Sequence, residues 1–391
     1  LEKEKSKLID QSNLLSEQIR KLSEAPVQIT ENDVSQIFSF VLNQLGENNE
    51  ISSPKVRLIS RDEYARELQS SLEKDKPKEE DVETFRIFLQ TFGYLPKSYT
   101  NQQILDELVA SQVGLPSAFY SPENKELTLI KDISRSRIYY RYNLAHELTH
   151  YVQDVRLDLK QLKKKHLEGS TDKYLAFMAL IEGQASYVAQ QYVLQLSSAE
   201  KQELQIAISR ASTDTSTSKV TRYDRVKNEF VYGSGLGYIQ QTQKFKTTDI
   251  AQALEGITSS HILNPQQSIK TKPTSLTLSL PGYTSFEKDM IGESGCRLLL
   301  HTLSDAHSTC SGWVNDEYTL LRKDDQVIVL VAFRWDSAVK AQLFEKKISE
   351  SQKQLENNFS TSVSGNTTIV LISLSEKTVP AQELEKVTIW Q

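Results

Sequence analysis

The segment Leu144-Ala145-His146-Glu147-Leu148-Thr149-His150 carries the pattern H-E-x-x-H. On a helix, residues four apart lie one turn above each other. Both imidazoles would then leave one face and could share a metal ion at about 2.0–2.1 Å, which is zinc chemistry. Glu147 stands beside them, placed to take a proton from water as a general base rather than to bind the ion. Leu144, Leu148, Val152 and Val155 form an apolar stripe that would anchor the helix in a core.

A catalytic zinc needs a third protein ligand and one open position. The candidate is Glu182 in Ala179-Leu180-Ile181-Glu182-Gly183-Gln184-Ala185. Met178, Ala185 and Ala189 fall at i−4, i+3 and i+7 from it, so its carboxylate lies on a largely apolar stripe. An unpaired charge there would be costly, and a metal removes that cost. Gly183 weakens a helix interior by about 1 kcal/mol, which points to a close backbone approach. Asp154, four residues after His150, could fix an imidazole tautomer or pair locally, and Asn143 has the same two readings.

The elements that must position these residues are mostly helical. Periodicity predicts helices over Tyr142 to Leu159, Asp172 to Leu196 and Ser198 to Arg210, and more helix after Tyr232. Ile29 to about Ser111 also reads as helical, broken at Lys74 to Glu80 and at the Gly93-Tyr94-Leu95-Pro96 turn. Ala118 to Tyr120 and Leu127 to Ile130 read as a hairpin about a turn at Ser121 to Asn124, with a further strand leading into the helix at Tyr142. Beyond Pro273 strands are expected at Ser275 to Leu280, Tyr318 to Leu321, Gln326 to Phe333 and Thr367 to Leu374, with a helix from Ser337 to Asn357. Leu1, Leu8, Leu15 and Leu22 recur every seven residues in a charged stretch, which predicts an amphipathic helix. The expected organisation is an amphipathic helix over 1–25, a catalytic domain over 26–270 and a C-terminal α+β unit over 271–391.

Bulk properties exclude several classes. The chain has 391 residues, 38% hydrophobic and 25% charged, enough to bury a core without a disulfide scaffold. A net charge of −5, with basic and acidic residues interspersed, gives no reason to expect nucleic acid as a partner. The lysines from Lys160 to Lys165 read as a solvated helix end. Two cysteines, Cys296 and Cys310, cannot build a four-cysteine zinc site and could pair or stay free. No apolar run of about 20 residues crosses a bilayer. The first residue is Leu1 rather than Met, which raises the expectation of a removed signal or anchor and an extracytoplasmic location.

The two motifs resemble the gluzincin clan of metallopeptidases, in which an H-E-x-x-H helix is followed by a helix carrying a glutamate ligand. More closely, the chain is similar to an uncharacterised bacterial family of metallopeptidases often found behind a signal or membrane anchor. The matching phrases are Ala118-Phe119-Tyr120-Ser121-Pro122-Glu123, the H-E-x-x-H segment, Glu182-Gly183-Gln184-Ala185, Tyr232-Gly233-Ser234-Gly235, Ile262-Leu263-Asn264-Pro265 and Gly312-Trp313-Val314-Asn315-Asp316. Asn264 departs from that family's usual His, and Ser186 from the Asp that thermolysin-like gluzincins carry four residues after the glutamate. The exopeptidase motif Gly-x-Met-Glu-Asn is missing.

This resemblance implies a zincin-like, mostly helical α+β catalytic domain with a small sheet. It implies Zn2+ on His146, His150 and Glu182, Glu147 as base, and a peptide or protein substrate. Val231-Tyr232-Gly233-Ser234-Gly235 also resembles the Tyr-x-x-Gly segment of aminopeptidase-N-like gluzincins, which implies that Tyr232 contacts the tetrahedral intermediate, against the reading of an ordinary buried tyrosine. A retired zincin-fold binding module of the cell envelope is the rival, and the intact Glu147 speaks against it. Trp313 reads as a core residue or a cleft wall. Substrate sequence, the mode of cleavage and the oligomeric state are not encoded in these motifs.

Overall fold

The computed structural model describes residues 29–47, 50–74, 77–113, 117–131, 136–213, 220–266, 276–355, 357–374 and 381–390. The amphipathic helix expected over 1–25 lies outside them. The architecture is α+β, and by contacts the chain divides into two units. One unit comprises residues 1–75, 112–159 and 185–216, and the other 76–111, 160–184 and 217–391. Neither is one continuous stretch, and the boundary expected near residue 270 lies outside the described residues. The change in composition there marks where strands begin, while helices from earlier in the chain belong to the same unit.

In the first unit a three-stranded sheet has the order Lys55–Ser60, Glu126–Lys131, Ala118–Ser121. The expected hairpin forms, with Ala118 opposite Leu129 and Ser121 opposite Glu126. Lys55–Ser60 pairs parallel to Glu126–Lys131 and was not expected, because the stretch was read as helical. Its Val56 and Leu58 lie on an exposed face and only Ile59 is buried, so no alternating run of buried apolar residues announces the strand.

The long helix Arg137–Leu157 starts five residues before the expected Tyr142, and residues 137–141 are helical rather than strand. Its Leu144, Leu148 and Val152 are fully buried, packed with Val188 and Tyr192 from the end of the helix Thr171–Gln195. Val155, assigned above to the same stripe, is exposed instead. The helix Glu31–Leu45 starts at a Thr30–Asp33 capping box, and the same Asp33 accepts Arg137 at 2.8 Å, which fixes the start of the histidine-bearing helix.

The second unit is built on a five-stranded antiparallel sheet, ordered Thr284–Asp289, Trp313–Lys323, Gln326–Trp335, Thr367–Ser373, Asn358–Ser364. Gln326–Trp335 and Thr367–Ser373 are largely apolar runs and were legible, while of Trp313–Lys323 only Tyr318 to Leu321 was, because Asn315, Asp316 and Glu317 precede them in the strand. Thr284–Asp289 and Asn358–Ser364 sit at the edges with mixed burial and were not. The expected helix from Ser337 runs Ala338–Gln354. Trp313 is a core residue, 4% exposed, with its indole donating to Asp316 at 2.9 Å. Cys296 and Cys310 form a disulfide. Lys160 to Lys165 lie on the short helix Leu159–Leu167 with their side chains exposed, as a solvated helix end should. Among the described residues, no helix is long and apolar enough to cross a membrane.

This unit carries a buried acidic network. Asp316 accepts the backbone N–H groups of Ile291 and Gly292, each at 2.8 Å, and Asp172 accepts the backbone N–H of Ser259 at 3.0 Å and its hydroxyl. Burial, outweighing these donors, pushes Asp172 up to about 7 and Asp316 up to about 8. A carboxyl whose folded pKa is raised binds its proton more tightly folded than unfolded. Its contribution to stability is complete below about pH 4 and is lost as pH rises through 7 to 8. The melting temperature is therefore expected to fall by several degrees between pH 5.5 and 8.5, and Asp172→Asn to flatten that slope. A melt that is equal or higher at the alkaline end would remove the network as its origin.

Candidate metal centre

On the histidine helix the i, i+4 spacing does what it predicts. His146 Nε2 and His150 Nε2 face each other at 3.1 Å, with the ring planes at 84°. Both residues are half-buried, above the fully buried Leu144 and Leu148. Glu182 lies on the helix Thr171–Gln195, which runs unbroken past the point where the contact-based units divide. It stands less than one turn before Ala185, on the same helix whose Val188 and Tyr192 pack with the histidine helix. His146, His150 and Glu182 each offer a ligand atom, and these atoms all lie within 4.8 Å of one another. No other such group occurs among the described residues.

The donor set fits zinc. Two imidazole nitrogens and one carboxylate suit a borderline ion, and three protein ligands leave one position open. Glu182 is 9% exposed, as the apolar stripe required. His150 Nδ1 lies 2.9 Å from Oε1 of Gln153, which is fully buried. An amide oxygen only accepts, so Nδ1 carries the proton and Nε2 presents its lone pair towards His146.

Of the two parts open to Asp154, fixing the tautomer is not the one it takes: Asp154 Oδ2 accepts the Tyr120 hydroxyl at 2.8 Å and Oδ1 accepts the Leu159 backbone N–H at 2.9 Å, so it ties the helix end to the hairpin. Burial and the neighbouring Asp154 both push the Tyr120 phenol up, so it stays a donor. Gln153 could have been found, since i+3 neighbours a helical residue as well as i+4 does. Asn143 takes its local reading and donates to the Tyr139 carbonyl at 2.8 Å. Gln153→Leu, which keeps the buried volume and removes the acceptor, is expected to weaken zinc binding by about 10- to 100-fold with little loss of fold. A competition titration against a chromophoric chelator measures this, and unchanged affinity would end the assignment.

Glu147 is not one of the three converging groups. Its Oε2 accepts the backbone N–H of Tyr120 at 2.9 Å, from the edge strand Ala118–Ser121. Nothing in the sequence announces this bond, because any residue at 120 other than proline could donate it.

The second unit shapes the neighbourhood of Glu182. A π-helical turn, Glu229–Ser234, leads into the helix Gly235–Thr242. A Cβ added to Gly183 would overlap the backbone of Gly235, and one added to Gly235 would overlap the Ala179 carbonyl. The two helices thus touch backbone to backbone beside Glu182, as Gly183 implied. Gly183→Ala is expected to destabilise the protein by about 1–3 kcal/mol and to lower zinc affinity, because the only relief is to move the ligand helix. Gly233→Ala, with open space around it, is the control and should melt at or slightly above the wild type. Equal melting of the two variants would disprove the contact.

Tyr232, on the π-helical turn, is 42% exposed, so it is not an ordinary buried tyrosine. His261 has a local structural part: its Nδ1 accepts the Thr258 backbone N–H at 3.2 Å and lies 2.7 Å from the Thr258 hydroxyl, at the start of the helix Ser259–Leu263.

Comparison with known proteins adds one match. Residues 281–388 are similar to a domain family of unknown function, DUF8575, a stretch that holds the five-stranded sheet and none of His146, Glu147, His150, Glu182 or Tyr232. No curated protein and no solved structure matches the chain.

Proposed function

We propose that the protein is a zinc-dependent peptidase with a zincin-like catalytic domain of the gluzincin type. The observation that carries this reading is the convergence of His146, His150 and Glu182, with Glu147 beside the histidines but outside the ligand set. A zinc ion held by these three would lower the pKa of water and polarise a substrate carbonyl. Glu147 removes the proton from the attacking water and passes it to the leaving amine, held in place by the Tyr120 N–H. Gln153 keeps His150 in the tautomer that can ligate. Tyr232, exposed on a π-helical turn of the kind frequent at functional sites, donates its hydroxyl to the oxyanion that forms during attack. The Cys296–Cys310 disulfide supports an extracytoplasmic location, secreted or anchored, since disulfides persist in oxidising compartments.

Metal analysis of the purified chain tests the centre, with about one zinc per chain expected from three protein ligands. Proteolysis of an unstructured protein, run beside a panel of small non-peptide amides, tests the substrate class. A chain that holds no stoichiometric zinc under metal-replete conditions overturns the proposal. Turnover confined to the small amides would replace peptidase by amidase.

A further inference from the structure

The second unit contains a cavity of about 360 Å³, within the range of small-molecule sites. Its apolar wall comes from Leu175, Val226, Phe230, Leu263, Leu298 and Leu303. Lys227, Glu229, Ser234 and Ser294 also line it, Lys227 being paired with Asp224, and of the polar lining Arg297 and His301 each hold one buried nitrogen without a hydrogen-bond partner. Unpaired buried donors and acceptors are costly, so a pair of them on one cavity wall points to a ligand.

The chemistry of the two nitrogens is opposite. The Arg297 guanidinium donates to Glu293 Oε1 at 2.7 Å, and its Nε–H is the donor left over. Glu293 is fully buried and also accepts Ser260 Oγ and Asn264 Nδ2, each at 2.8 Å. The positive charge of Arg297 is therefore already matched. His301 Nδ1 lies 2.8 Å from the Leu298 carbonyl, which can only accept, so Nδ1 carries the proton and Nε2 is a bare acceptor. Burial holds His301 below its ordinary pKa, which keeps the ring neutral. The ring is stacked on Tyr94 at 4.5 Å and 21°.

Arg297 lies in the last turn of the helix Gly292–Leu299 and His301 two residues past its end, and both line the same cavity. A group that satisfies both must accept from Arg297 and donate to His301. A carboxylate has no donor and would meet the His301 lone pair. An ammonium has no acceptor and would meet the guanidinium. A neutral amide has both.

We propose that this cavity binds a small molecule with an apolar body and one neutral amide group, the carbonyl accepting from Arg297 and the N–H donating to His301. The Cys296–Cys310 disulfide closes the segment that supplies Arg297, Leu298, His301, Leu303 and Ala306, so the wall is braced before any ligand arrives. The site is separate from the proposed zinc ligands and does not depend on peptidase activity.

Calorimetric titration of the full chain with three probes of one skeleton tests it: 4-methylpentanamide, 4-methylpentanoate and 4-methylpentylamine. The amide is expected to bind at least tenfold more tightly than either charged probe, because a site built to hydrogen-bond rejects analogues that leave its groups unpaired. His301→Phe keeps a flat ring on Tyr94 and should reduce amide affinity tenfold or more. Leu303→Trp fills the cavity and should abolish binding. Circular dichroism and melting confirm that each variant is folded. Three equal affinities in the wild type, no saturation by the amide at millimolar concentration, or undiminished binding by folded Leu303→Trp would each overturn the proposal.

Discussion

Glu147→Gln is expected to retain about one zinc per chain and to lose turnover by roughly 10²- to 10⁴-fold, the range of a general base. The separation of the two effects follows from geometry. Glu147 is outside the converging ligand set, so metal affinity does not depend on its charge. Its Oε2 accepts the Tyr120 N–H at 2.9 Å, and a glutamine carbonyl can accept the same bond, so the edge strand stays where it is. What the amide cannot do is take a proton from water. Zinc content and kcat measured on the same preparation decide the matter. Full activity in a zinc-loaded variant removes Glu147 as the base, and loss of zinc along with activity makes it a ligand or a structural residue instead.

The sequence made the central residues legible because their constraint is local. A helix repeats every 3.6 residues whatever surrounds it, so His146 and His150 share a face, and Glu182 on an apolar stripe is buried wherever that helix packs. Gly183 was legible for the same reason, as an unfavourable residue kept inside a helix. The misses are the parts fixed by tertiary partners. Asp154 faces the ligand side by periodicity, yet the Tyr120 hydroxyl from the hairpin claims it, and it is Gln153 that meets the His150 ring. The strand Lys55–Ser60 pairs parallel with a segment about 70 residues later, and no local pattern encodes that register. The interleaving of the two units was hidden likewise, since composition along the chain reports local structure and not which helix packs on which sheet.

Glu182→Ala separates a metal centre from a fortuitous cluster, because only a metal centre gives the wild type a zinc-dependent rise in stability that the variant loses. If Glu182 is a zinc ligand, removing it leaves two imidazoles, a poor site, and affinity should fall by at least about 10²-fold. The zinc-free protein should not suffer in proportion. Alanine, the best helix former, keeps the helix while giving up the packing of a side chain only 9% exposed. A zinc ion bound there would stabilise the wild type by mass action, by about 4 kcal/mol at a free concentration 1,000 times the Kd, which is a rise of several degrees in melting temperature. The variant should melt near the zinc-free wild type and show almost no rise when zinc is added. Tyr174 supplies an internal control: burial first and the Glu182 charge second hold its phenol above the ordinary value. In the zinc-free variant its alkaline titration should therefore move down yet stay above the ordinary value, because the charge has gone and the burial has not, whereas unfolding would return it to the ordinary value. If the variant keeps tight stoichiometric zinc, the third ligand is another residue. If the wild type shows no zinc-dependent rise at all, His146, His150 and Glu182 are neighbours without a metal, and the peptidase reading falls with them.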